Sequence, residues 1–209
     1  MVCPPDLNHD CSELGRNTEE NMQNTGYQAV CELVLGELRA SLAAIRAEEV
    51  EQLLEAVHKA RRVFFVGVGR ALFSLQAIAK RWAHLGIDVH IVGEVTEPAI
   101  TENDLLIAGS GSGNTMLPVG IAKKAKAIGA TVAYIGSNPD SPLRASADFM
   151  VRIPVRTRFE LEDEIVSRQP LASLFEQSLL LLGDIVAKML IDRQGLDMAG
   201  LWQYHANLE

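Results

Sequence analysis

Residues 109–115 read Gly-Ser-Gly-Ser-Gly-Asn-Thr, with hydroxyls at Ser110, Ser112 and Thr115. Four apolar residues, Leu105–Ala108, precede them as a short buried strand, and Met116–Ile128 follows with the pattern of a helix. A strand, a small polar turn and a helix N-terminus make an anion site. Turn amides and helix dipole point at one spot. Gly111 and Gly113 let the backbone approach a ligand, and the hydroxyls donate to it. A nucleotide P-loop would need Gly-Lys-Ser/Thr after four spacers, and Asn114 stands where that lysine would be. With no lysine and no obvious Mg²⁺ ligand nearby, a single phosphate monoester suits the turn better than a triphosphate. A mere connecting turn seldom needs seven small residues.

Glu176 is the strongest candidate for proton chemistry. It falls in the first turns of an apolar helix, beside Leu174, Phe175 and Leu179. Burial in general raises a carboxylate's pKa, and a base that removes a proton beside a carbonyl works best near the ambient pH. A carboxylate at a helix start can equally do no more than meet the dipole. His205, after Trp202 and Tyr204, has the right pKa range for a proton shuttle, although a tail histidine is usually solvated. His84 reads as a packed helix residue, and His58 and His90 as surface. Gly67-Val-Gly69 after the first strand suggests a dinucleotide turn, with Glu94 at the distance of a ribose-binding acid. The third glycine fails, because Leu72 occupies its place.

These residues need a scaffold. Val63–Val66, Val89–Val92, Leu105–Ala108, Thr131–Ile135 and Phe149–Ile153 are short apolar runs expected to be strands. Helices are expected between them at Ala71–Leu85, Met116–Ile128 and near Leu143–Ala147. Gly86 and Gly129 stop the first two, and Ser137-Asn-Pro-Asp-Ser-Pro142 makes a turn into the third. The alternation predicts an α/β fold: a doubly wound, five-stranded parallel sheet flanked by helices, a flavodoxin-like three-layer sandwich. Its ligand sits beyond the carboxyl ends of the strands, where the turns after strands one, three and four lie. Two helices, from Tyr27 and from about Glu48, precede the first strand and should pack outside the sheet or on another subunit. Residues 154–169 form a long polar loop, of a length often used for lids. Pro170 is placed in the first turn of an apolar helix running to about Ile191, buried centrally or between subunits. A last short helix spans about Met198–Tyr204.

Composition bounds the class. The chain's 209 residues, 48% hydrophobic and 22% charged, suit one folded domain. We read 1–26 as a loose acidic arm and 27–209 as a single domain. The net charge of −8 argues against nucleic acid as a partner. Cys3, Cys11 and Cys31 are odd in number and lack a CxxC, which fits reduced thiols in a cytoplasmic protein rather than disulfides or zinc. No run is long enough to span a membrane, and the acidic N-terminus is unlike a secretory signal.

Gly67-Val-Gly69-Arg70, His84-Leu-Gly86, Val92-Gly-Glu94, the 109–115 turn, Ser137-Asn-Pro-Asp-Ser141, Ser173-Leu-Phe-Glu-Gln177 and the final His205-Ala-Asn-Leu-Glu209 together resemble the sugar isomerase (SIS) domain. Within it they resemble the 6-phospho-3-hexuloisomerase group most closely. The resemblance implies interconversion of 3-hexulose 6-phosphate and fructose 6-phosphate with no metal or organic cofactor. It implies that Gly69, Ser110, Gly111, Ser112, Gly113, Asn114 and Thr115 surround the sugar phosphate. Arg70 would hold substrate or oxyanion, and Glu176 would carry a proton between adjacent carbons through an enediol. His205 would assist at a hydroxyl or ring oxygen. A homo-oligomer, tetramer or dimer, with sites shared between subunits, is also implied. Ala71-Leu72 depart from the family's usual Ser-Gly and remove a hydroxyl beside the first loop; Leu171-Ala172 replace Met-Gly. A non-catalytic sugar-phosphate-binding module and a dinucleotide-binding protein are the competing readings.

Overall fold

The computed structural model describes residues 25–208. Contacts divide the chain into a unit ending at Glu37 and one running from Leu38. Helix α1 (Tyr27–Ala43) crosses that division and is followed by α2 (Ala47–Lys59). The second unit then alternates β1 (Val63–Val66), α3 (Gly69–Ala83), β2 (Val89–Ile91), β3 (Leu105–Gly109), α4 (Met116–Ile128), β4 (Thr131–Gly136), α5 (Pro142–Ser146) and β5 (Phe149–Arg152). The long α6 (Ser173–Gln194) and a 3-10 turn, Gly200–Tyr204, end it.

All four strand pairings are parallel, in the order β2-β1-β3-β4-β5. The doubly wound, five-stranded sheet is therefore as expected. Alternation along the strands divides two cores. Val63, Phe65, Leu105 and Ile107 face one side and pack with α2, α3 and α6. Phe64, Val66, Leu106 and Ala108 face the other and pack with α4 and α5. Burial on both faces explains why these strands are continuous apolar runs. In α2, Val50, Leu53, Leu54 and Val57 are buried at helical spacing, with Glu48 and Glu49 at the positive end and Lys59 at the negative.

Boundaries differ where local geometry overrides pattern. Helix α6 begins at Ser173, not at Pro170, because Leu171 takes a left-handed φ of 53°, which breaks the right-handed path between them. Helix α3 begins two residues before the expected Ala71, and the last helical segment is a single 3-10 turn. Helices α3 and α6 lie so close that a Cβ on Gly183 would fall 2.2 Å from Ile78 Cγ1, and Trp82 Nε1 donates to Gly183 O at 3.0 Å. Glycine there lets two helix N-termini reach one end of the sheet in a fixed relation.

At the opposite end of the sheet, buried Asp104 accepts from Thr101 N (2.7 Å), Thr101 Oγ1 (2.8 Å) and Arg61 Nε (3.3 Å). Burial alone would raise this carboxyl; those three donors outweigh it and hold the pKa below the ordinary aspartate value. Among the described residues no helix is long and apolar enough to cross a membrane. Cys31 is a free thiol. Cys3, Cys11 and nearly all of the acidic arm lie outside the described residues.

Candidate active site

Beyond the carboxyl ends of β1 and β3, where the strand order reverses, lies a cavity of about 540 Å³. Such reversals are where open α/β sheets bind ligands. Its wall includes Gly69 and Arg70 after β1, Ser110, Gly111, Ser112 and Thr115 after β3, and Phe175 and Glu176 of α6. Three helix starts, those of α3, α4 and α6, meet here.

The turn is held from behind through its carbonyls. Tyr134 Oη donates to Ser110 O (3.0 Å), Ser137 N to Gly111 O (3.0 Å), Asn114 Nδ2 to Ser112 O (3.0 Å) and Leu143 N to Gly113 O (3.1 Å). With the carbonyls satisfied on the inner side, the amides of Gly111, Ser112 and Thr115 have no acceptor among the described residues. Thr115 is the N-cap of α4 yet makes no capping bond; its Oγ1 sits 3.1 Å from Ser110 Oγ. A hydroxyl that would normally close the helix is thereby left at the anion site.

Gly113 and Asn114 shape the turn rather than wall the cavity. Gly113 has φ 67°, and a Cβ there would fall 2.2 Å from Ser141 Oγ and 2.7 Å from Tyr134 Oη. Burial pushes the Tyr134 phenol far above its usual pKa, so it stays a donor at any neutral pH.

Glu176 does not stand alone in apolar surroundings. Its side chain is 14% exposed, and Arg70 Nε donates to Oε2 at 2.5 Å. Ser74 Oγ donates to the Glu176 carbonyl at 2.8 Å, a second tie between α3 and α6. One carboxylate oxygen is thus paired and the other left for a ligand. Such a set can grip an anionic ester and move a proton.

His205 is elsewhere. Its ring stacks on His84 with centroids 5.1 Å apart and tilts against Trp202 at 5.1 Å, lining a separate cavity of about 370 Å³. His84 lies fourteen residues beyond Arg70, about 20 Å along α3 at 1.5 Å per residue. His205 therefore does not join Glu176 within one chain. Glu94, the ribose-acid candidate, is exposed in the turn after β2 and is absent from the cavity wall. His90, read as surface, is half-buried and tilts against Phe64 at 5.3 Å.

Sequence reasoning passed over Tyr134 beneath the turn, and it read residues 154–169 as a loop of lid length without assigning Arg156, Thr157 and Arg158 to the cavity wall. The Ser137–Ser141 motif held a usable signal, since a second polar turn after β4 had to lie beside the first.

A SIS domain model matches residues 56–181. The 3-hexulose-6-phosphate isomerase of Bacillus subtilis is 38% identical over 188 residues, 90% of this chain and all of its own. That of Mycobacterium gastri is 40% identical over 177 residues, 85% of this chain and 88% of its own. A Methanococcus jannaschii crystal structure, described as inferring 3-hexulose-6-phosphate isomerase function, superposes with a TM-score of 0.75 at 28% identity. It covers 86% of this chain and 98% of its own.

Proposed function

The chain belongs to the SIS domain family, and from that premise we propose that it is a phosphosugar isomerase interconverting 3-hexulose 6-phosphate and fructose 6-phosphate. The observation that carries this reading is one cavity holding the open amides and hydroxyls of residues 110–115 beside the Arg70-paired carboxylate of Glu176. Similarity over 85–90% of the chain to enzymes of that name supports the substrate.

In this reading the phosphate rests on the turn after β3. Glu176 takes the proton from C2 of the 3-ketose, leaving a 2,3-enediol whose charge on O3 meets Arg70. The same carboxyl returns the proton to C3, the O2 hydroxyl proton passes to O3, and C2 becomes the carbonyl. Nothing is oxidised or reduced overall, so the step needs no external electron carrier.

His205 enters as a group supplied to a neighbouring copy's cavity in a homo-oligomer, tetramer or dimer, where it moves a hydroxyl proton. Its distance from its own chain's Glu176 supports that arrangement.

The test is solvent deuterium incorporation into fructose 6-phosphate. The unaltered protein should exchange the C3 proton, and Glu176→Gln should bind the sugar phosphate while turnover falls roughly 10²- to 10⁴-fold. Binding without exchange by the unaltered protein would make this a sugar-phosphate-binding module instead.

A further inference from the structure

Of the two buried carboxylates among the described residues, neither serves the proton transfer; Asp104 lies at the far end of the sheet, and the other lies beside the cavity. Glu164 is 6% exposed and lies in the loop after β5. Its Oε1 accepts from Ser137 Oγ (2.7 Å) and Thr157 Oγ1 (3.3 Å), and its Oε2 from Thr157 N (3.1 Å) and Leu161 N (3.0 Å). A buried carboxylate is tolerated when its oxygens are satisfied in this way. The loop's neck is closed by Arg156 N to Ile165 O and Ile165 N to Pro154 O, both at 2.8 Å. The bonds to Glu164 therefore fold residues 155–165 back against the phosphate turn. Thr157 Cγ2 would be 3.6 Å from a Cβ on Gly111.

This loop contributes Arg156 and Arg158 to the cavity wall. A phosphate monoester carries between one and two negative charges near neutral pH. The turn after β3 offers only neutral donors, on a chain of net charge −8. Arg70 is bound to Glu176, and Arg156 Nη2 lies 4.0 Å from Glu160. Among the described residues, Arg158 is the one cavity arginine with no carboxylate within 4.0 Å. Its guanidinium lies 4.9 Å from the Phe159 ring centroid, a stack that orients the plane without neutralising it.

We propose that Arg158 is the counter-charge for the ligand's phosphate, and that Glu164 is the positioning residue that keeps Arg158 in the wall. The proposal rests on the sugar-phosphate reading of this cavity.

Calorimetric titration with inorganic phosphate and with fructose 6-phosphate tests it. Arg158→Gln should weaken both ligands roughly ten- to hundredfold, the worth of a hydrogen bond to a charged group, and flatten the salt dependence. Arg158→Lys should restore most of the loss. In Glu164→Ala the Thr157 and Leu161 N–H groups lose their acceptor, so the loop loosens and binding weakens in the same direction. The double variant should bind no more weakly than Arg158→Gln alone, because both act through one contact. Wild-type affinity of Arg158→Gln for inorganic phosphate would overturn the assignment of Arg158, and additive losses would overturn that of Glu164. Phosphate binding with no turnover of hexulose phosphate by the unaltered protein would sink the isomerase reading alone. Failure of the unaltered protein to bind phosphate would sink both.

Discussion

The two cavities on the α3–α6 pair have opposite chemistry. The one beyond β1 and β3 is bounded by the N-terminal ends of α3, α4 and α6, with open amides and hydroxyls. The one holding His205 is lined by the C-terminal halves of α3 and α6, through Arg81, Ala187 and Ile191, by His84 and Leu85 just past α3, and by Trp202 from the tail. The two helices begin at the same end of the sheet, so one pair offers an anion-binding end and an end of reversed dipole. The second cavity carries Arg81 and Lys188 beside Asp184, but it lacks the helix starts and the polar turn of the first. The difference also explains why the reading assigns His205 to a neighbouring copy: the histidine sits at the wrong end of its own helices.

The largest effect expected is on catalysis. Glu176→Gln and His205→Ala should each be severely impaired as pure proteins, while oligomers refolded from both together regain turnover. Silence of the mixture, with both pure variants dead, would return the histidine to its own chain.

Next come two glycines with the same left-handed backbone in the two regions. Gly113→Ala should cost roughly 2–4 kcal/mol and abolish phosphate binding, since Ser141 and Tyr134 occupy the new methyl's place. Gly195→Ala, with φ 61° but no atom within 4 Å, should cost about 1–2 kcal/mol and leave binding intact. Denaturant unfolding and phosphate titration on the same samples would check the contrast.

Tyr134→Phe strips the donor from Ser110 O. A loss of about 1–3 kcal/mol in chemical denaturation is expected, with weaker phosphate binding as the turn relaxes.

The smallest effect lies far from both cavities. Asp104→Asn should cost on the order of 1–2 kcal/mol at pH 7. The folded pKa of Asp104 is depressed, so its contribution is present above the unfolded value and lost as pH falls through the folded one. Unfolding curves of the two proteins should converge as the pH falls below the ordinary aspartate range; a gap that stays constant on acidification would remove the ionised carboxylate from the account.

The phosphate turn was legible because everything that makes it works over a few residues. Small side chains follow a buried strand, and a helix starts at Met116 as its periodicity predicts. The five strands were legible for the same reason. Pro170 misled, since its fitness for a first helical turn says nothing of the left-handed Leu171 that follows it. Glu176 could be singled out from its apolar neighbours, but its partner could not: Arg70 lies 106 positions away.

The order and type of the elements, and the anion-binding character of residues 109–115, were written locally, in periodicity and in the freedom of small residues to expose backbone. Which charges meet was decided by the crossing of α3 and α6 at Gly183, by Tyr134 rising beneath the turn, and by the loop that Glu164 folds inward. Those are contacts between segments far apart in the chain. Their energies depend on distances that exist only once the sheet has set its strand order.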